Sequence, residues 1–190
     1  VNPLRTLATA RWNPGDPPPP PLPGFTASTF NPLVAAVADR CLTAHHGAPG
    51  APGEPGTPGE PRRTGLLLAS ASGDRATALA IDAGAERHRM PPLLFFQSNP
   101  NAVLGHVAAR WGLTGPVVAI SPLAAAVPGE VPPDALELAA MLLADGDADQ
   151  ILVIAAEQAE PATEQAGQDG QATGEAPGAD HATAVLVTTA

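Results

Sequence analysis

Apolar residues along this chain fall into two periods, and the alternation between them outlines the fold. Residues 4–12 read as a short strand. Over 29–46, Leu33, Val34, Val37, Ala38, Cys41 and Leu42 share one face at 3.6-residue spacing. This is a helix, with Asn31-Pro32 read as its cap and first-turn proline. Residues 65–70 (GLLLAS) form a short apolar run suited to a buried strand, followed by a Ser-Gly-Asp turn and a helix over 75–85. Residues 93–97 are another short apolar run. A helix over 101–111 turns Val103, Leu104, Val107, Ala108 and Trp111 inward. The β-branched residues Val117, Val118 and Ile120, with Ala119, read as a strand. Pro133 opens a helix with Leu136, Ala139, Ala140 and Leu143 on one side, ending near Gly146. Residues 151–155 and 182–188 complete the strands. Strands alternating with helices predict an α/β fold with a largely parallel sheet flanked by helices.

Three stretches interrupt this order, and each is expected to be a flexible insertion in a single domain spanning 1–190. Residues 13–24 (NPGDPPPPPLPG) cannot be helix or strand interior, because proline fixes φ and removes a donor. They read as a polyproline II spacer, with a ligand for an SH3- or WW-type domain as the lesser alternative. Residues 47–63 contain five Gly-X-Pro triplets. Their period is that of collagen, but so few triplets inside a globular chain suit a surface insertion better. Residues 158–179, rich in Ala, Gly, Gln and Glu, show no periodicity and are expected to be disordered.

Composition narrows the function. The 190 residues hold nineteen acids against nine arginines and no lysine, a net charge of −10. Nucleic acid and anionic membrane surfaces are therefore poor partners. No apolar run reaches the roughly 18–20 residues needed to cross a bilayer. The start of the chain lacks a signal-peptide order, so cytoplasm is the default. The lone Cys41 reads as a small buried hydrophobe. His45-His46 could bind a metal only with further ligands, which local spacing does not offer, so neither metal nor cofactor is expected. The densest basic cluster, at 86–89, reads as a solvated helix end.

Several segments, in order, resemble the N-terminal half of β-ketoacyl synthases of the thiolase-like superfamily. TGLLLASASGD resembles that family's strand and Gly-Asp turn. NAVLGHVAARWGLTGP, residues 101–116, resembles its N-x-x-A-G-x-x-A-x-x-x-G-L-x-G-P helix. ALELAAMLLADGDADQILVIAAE and DHATAVLVTTA resemble its later helix and strands. The resemblance covers about residues 29–157 and 180–190. Size and divergence are most similar to short ketosynthase-like proteins of type II polyketide and aryl-polyene clusters. It implies a layered, thiolase-like half-fold.

The resemblance also implies where chemistry has been lost. The family carries a nucleophilic cysteine eight positions after the Gly-Pro, and here that position is Ala124. A methyl group cannot attack a thioester. The family's second half, with its two histidines and lysine, has no counterpart, and His106 matches neither histidine. Ser121 reads as a strand-end serine; Glu130 and Asp134 read as caps of the following helix. No catalytic residue is assigned. The resemblance makes Val117, Val118, Ala119 and Ile120 an interface strand, which a proline at Val118 is expected to disable. It makes Phe95, Phe96, Gln97 and Asn99 groups that line or cap a partner's pocket, against the plainer reading that the two phenylalanines are core. A lone half would expose an apolar patch. The implied function is a non-catalytic subunit that binds or shapes a polyketide or fatty-acid-type synthase assembly. Its partners would be a ketosynthase or chain-length-factor subunit, or a second copy. An acyl carrier protein is a weaker candidate, reachable only through Arg62-Arg63 or Arg87 and Arg89. The alternatives are an enzyme with remodelled chemistry, a hydrolase or dehydratase on carrier-bound acyl chains, and a remnant with no activity.

Overall fold

A computed structural model describes residues 3–49, 63–86, 92–159 and 179–190. The strands are β1 (Leu4–Trp12), β2 (Thr64–Ala69), β3 (Val117–Ile120), β4 (Gln150–Glu157) and β5 (His181–Thr189). The helices are α1 (Phe30–His46), α2 (Arg75–Glu86), α3 (Pro92–Gln97), α4 (Pro100–Trp111) and α5 (Pro133–Ala144). The five strands form one sheet in the order β1-β5-β4-β2-β3. Every residue of β2 and β4 is buried, which explains why these central strands read as unbroken apolar runs.

Alternate side chains of the sheet enter two cores. On one face Leu66, Leu68, Leu152, Ile154 and Leu186 pack with Phe30, Leu33, Val37 and Leu42 of α1 and Leu104 and Val107 of α4. On the other, Leu67, Ile151, Val153 and Val187 pack with Ala135, Ala139 and Leu143 of α5. The result is the expected helix–sheet–helix layering. The outer side of α5 stays apolar. Met141 is 58% exposed, Leu138 is half-buried, and Asp134 and Glu137 are the helix's only charges. That is the pattern of a helix covered on two sides.

The sheet is largely parallel as expected: β2 runs parallel to β3 and β4, and β5 alone is reversed, antiparallel to both β4 and β1, so four of the five strands point the same way. Residues 93–97, too short a run to show a period, lie in helix α3. Two expectations need correction. Asn31 does not cap α1. The Ser28 hydroxyl accepts from its N–H at 2.8 Å, and its buried amide donates to Asp74 Oδ2 at 2.9 Å and to the Gln97 carbonyl at 3.3 Å. Residues 13–24 are anchored, not a loose insertion. Asp16 pairs with Arg40 at 3.5 Å, Leu22 and Phe25 pack on the core, and the Gln97 amide donates to the Gly24 carbonyl. The Gly-X-Pro repeat from 50 onward and most of the 158–179 segment lie outside the described residues.

The Gly-Pro of the helix motif has a steric reason. A Cβ at Gly115 would sit 2.5 Å from the Thr64 carbonyl carbon and the Gly65 nitrogen, while the Gly115 N–H donates to the Thr64 carbonyl at 3.0 Å. The chain reaches β3 by crossing the start of β2 at contact distance. Gly115→Ala is expected to cost about 2–4 kcal/mol. Gly112→Ala, which meets nothing within 4 Å but holds φ +64, should cost about 1–2 kcal/mol. Urea unfolding of both variants checks this order.

Candidate functional site

The parallel strands β2, β3 and β4 end together, and in open α/β sheets that is where ligands bind. Here the ends are gathered by one carboxylate. Glu157, 5% exposed, closes β4. Its Oε1 accepts from the Ala71 N–H at 2.9 Å and the Ala126 N–H at 3.2 Å, and its Oε2 accepts from the Ser72 N–H at 2.8 Å. Burial pushes the Glu157 carboxyl up, but these backbone bonds and the Ser72 hydroxyl outweigh it and hold the group below its ordinary range. His181, opposite Glu157 in the β4–β5 register, places Nε2 3.0 Å from the Ala126 carbonyl and Nδ1 3.1 Å from the Ala179 carbonyl. Ala126 is thus held by both its N–H and its C=O.

These contacts fix loop 121–132, where the resemblance places a nucleophile. The Asp134 carboxylate accepts from the Leu123 N–H at 2.9 Å, and the Glu130 N–H donates to the Val127 carbonyl at 2.9 Å. Pro122, Pro128 and Pro132 have no N–H to offer an oxyanion. Ala124 is exposed and carries no reactive group. Ser121 is exposed, and among the described residues no hydrogen bond links it to a base. Beside it, a hollow of about 250 Å³ is lined by Phe30, Asn31, Asp74, Ser98, Ile120 and Ser121 among others. Asp74 is spoken for, accepting from the Thr77 N–H and hydroxyl and from Asn31. Cys41 lies elsewhere, in the core beneath α1, where burial pushes its thiol up to about 11. Among the described residues no group of three or more His, Cys, Asp or Glu could hold a metal.

The proposed interface residues form an edge. In β3 the carbonyls of Pro116 and Ile120 accept from β2, so by the two-residue period the Val118 groups also face β2. The N–H and C=O of Val117 and Ala119 face outward. A proline at Val118 would therefore damage the internal ladder rather than the free edge; Val117 is the position that tests the edge. Nearby apolar side chains stand in solvent: Val117 is 39% exposed, Leu123 96% and Val127 58%. Of the four pocket residues, Phe95 and Phe96 are 66% and 68% exposed, which excludes the core reading. Gln97 is buried and turned toward residues 13–24, and Asn99 caps α4 by accepting from the Asn101 N–H. Gln97 therefore does not face outward as the resemblance implied, while Asn99 is exposed but engaged as a cap. Of the arginines considered for a carrier protein, Arg63 donates to the Gly146 carbonyl beside Asp149; Arg62, Arg87 and Arg89 lie outside the described residues.

The role of Glu157 was not visible in the sequence, although an acid closing a buried apolar strand was a usable sign.

No protein-family model and no curated protein sequence matches the chain. Solved structures do. The whole chain superposes with a TM-score of 0.64 and 15% identity on 80% of a chain in a ketosynthase complexed with its chain length factor from Xenorhabdus doucetiae. It superposes with a TM-score of 0.61 and 14% identity on 63% of a chain in a type II polyketide synthase acyl-carrier protein complexed with its ketosynthase bound to the hexaketide. It also matches 41% of ketosynthase twelve of the bacillaene polyketide synthase in Bacillus amyloliquefaciens, with a TM-score of 0.56 and 13% identity. The chain therefore has the thiolase-type fold. Within that class its architecture is ketosynthase-like, over part of the length of two of these three chains.

Replacing Glu157 by Ala would leave the buried Ala126 N–H and two part-buried N–H groups without this acceptor and is expected to cost about 2–3 kcal/mol. Because the folded-state carboxyl is held below its ordinary range, its contribution is present above that range and lost as pH falls through the lowered value. The stability gap between wild type and Glu157→Gln should accordingly narrow on acidification, measured by urea titration at several pH values.

Proposed function

We propose that this chain is a non-condensing, ketosynthase-like subunit that binds or shapes a type II polyketide or fatty-acid-type synthase assembly. One observation carries the reading: the β3 edge, which no strand among the described residues covers, followed along the chain by the exposed apolar groups Leu123 and Val127. The opposite edge, β1, is guarded by a bulge between Thr6 and Ala8 and by Arg5 and Arg11. The β3 edge has neither device. Phe95 and Phe96, and Met141 on the outer side of α5, are further large apolar groups standing in solvent. The partner is a ketosynthase or chain-length-factor subunit, or a second copy. The solved ketosynthase–chain length factor complex, whose fold this chain shares, supports that choice. A carrier protein is a weaker candidate, since Arg63 is already engaged. A cytoplasmic setting suits a chain whose one cysteine is free and buried.

Ala124, the pinned loop and the absence of a base bonded to Ser121 argue against the remodelled-enzyme reading. Incubation with acyl thioesters is expected to leave the protein mass unchanged. An acyl adduct on Ser121 or any other residue would overturn the non-condensing assignment.

Val117→Pro removes an outward donor at the first position of an edge strand, where proline is tolerated. Its circular dichroism should match wild type, while co-elution with a ketosynthase, or self-association, should be lost. Arg5→Ala should leave association intact. A folded Val117→Pro protein that still assembles would refute the edge as the junction.

A further inference from the structure

The five prolines at 17–21 run along the surface between two turns. One turn is closed by the Asp16 N–H on the Asn13 carbonyl at 3.0 Å, the other by the Phe25 N–H on the Leu22 carbonyl at 3.1 Å. Consecutive prolines fix φ and hold each preceding residue extended, so the run is a polyproline II helix with three residues per turn. Its burial follows that period. Asp16, Pro19, Leu22 and Phe25 are half-buried, while Pro17, Pro18, Pro20, Pro21 and Pro23 are exposed. Every third residue is anchored, and the two prolines between anchors stand outward.

We propose that residues 17–21 are a preordered docking ligand for a partner domain with two adjacent aromatic-walled clefts. Such grooves take polyproline II ligands as successive dipeptides one turn apart. Pro17-Pro18 and Pro20-Pro21 present that spacing on one side. The anchors on the other side, the Asp16–Arg40 pair at 3.5 Å and the packing of Leu22 and Phe25, have already ordered the segment. Binding therefore incurs little ordering entropy. On the anchored side, Asp16, Pro19 and Leu22 line a cleft of about 710 Å³ together with Trp12 and Leu33; Pro18 and Pro21 reach its border, while Pro17 and Pro20 lie outside it. Charge selects among such domains. The chain carries a net −10, and Arg40 is already committed to Asp16 and stacked 3.6 Å from the Trp12 ring centroid. The matching groove thus has a neutral or basic rim, not an acidic one.

The test is interferometry of the full chain against immobilised, isolated SH3, WW and EVH1 domains that bind proline-rich peptides, with rims of either charge. Saturable binding is expected to at least one domain with a neutral or basic rim, with a peptide of residues 14–24 binding no more tightly than the folded chain. The double variant Pro18→Ser/Pro21→Ser should weaken it about tenfold or more, while Leu79→Ser, at an exposed apolar residue of α2, should not. Binding to no domain, preference for acidic rims, binding by the peptide alone, or indifference to the double variant would each overturn the proposal. Proteins verified as folded by circular dichroism keep the comparison between variants valid.

Discussion

One buried carboxylate organises the business end of this sheet. Without the Glu157 side chain, two part-buried N–H groups of the turn after β2 and the buried Ala126 N–H of the loop after β3 would lose their acceptor. Charge is tolerated there because it is a good acceptor for several donors at once, and the cost of removing it from water is offset by those bonds. His181 completes the arrangement from β5, so three strand ends and two loops share one polar cluster. The cluster holds a loop still, and the position in that loop where the resemblance places a cysteine is Ala124.

Rigidity without reactivity suits a surface made for contact. Leu123 and Val127 stand in solvent on a backbone that several hydrogen bonds hold in place, so little freedom remains to be lost when they are covered. The same logic applies to Phe95 and Phe96, whose rings meet edge to face at 6.4 Å and stiffen one another. A marginally stable monomer would gain nothing from such groups in water.

Much of the fold was legible because its signals are local. The buried faces of α1 and α4 and the unbroken runs of β2 and β4 follow directly from residue spacing. What stayed hidden depends on distant partners. Strand direction could not be read from Ala182 to Thr188, because a buried strand has the same apolar pattern whichever way it runs. Asn31 carried every mark of a cap, yet its amide is drawn 43 positions along the chain to Asp74, a partner only the fold supplies. Residues 117–120 were legible as a strand, but which side of it is left free depended on register with Leu66 to Ala69. Ala124 was legible as a side chain with no reactive group; the clamp on Ala126 two residues later was not.

The contrast between the two sheet edges limits how large an assembly can become. A sheet with two bare edges can add copies at both and grow without end, as fibres do. The bulge and arginines of β1 close one side, so among the described residues β3 is the bare edge of the sheet. A junction of the proposed kind would consume that edge, and strand-by-strand growth would stop at a pair.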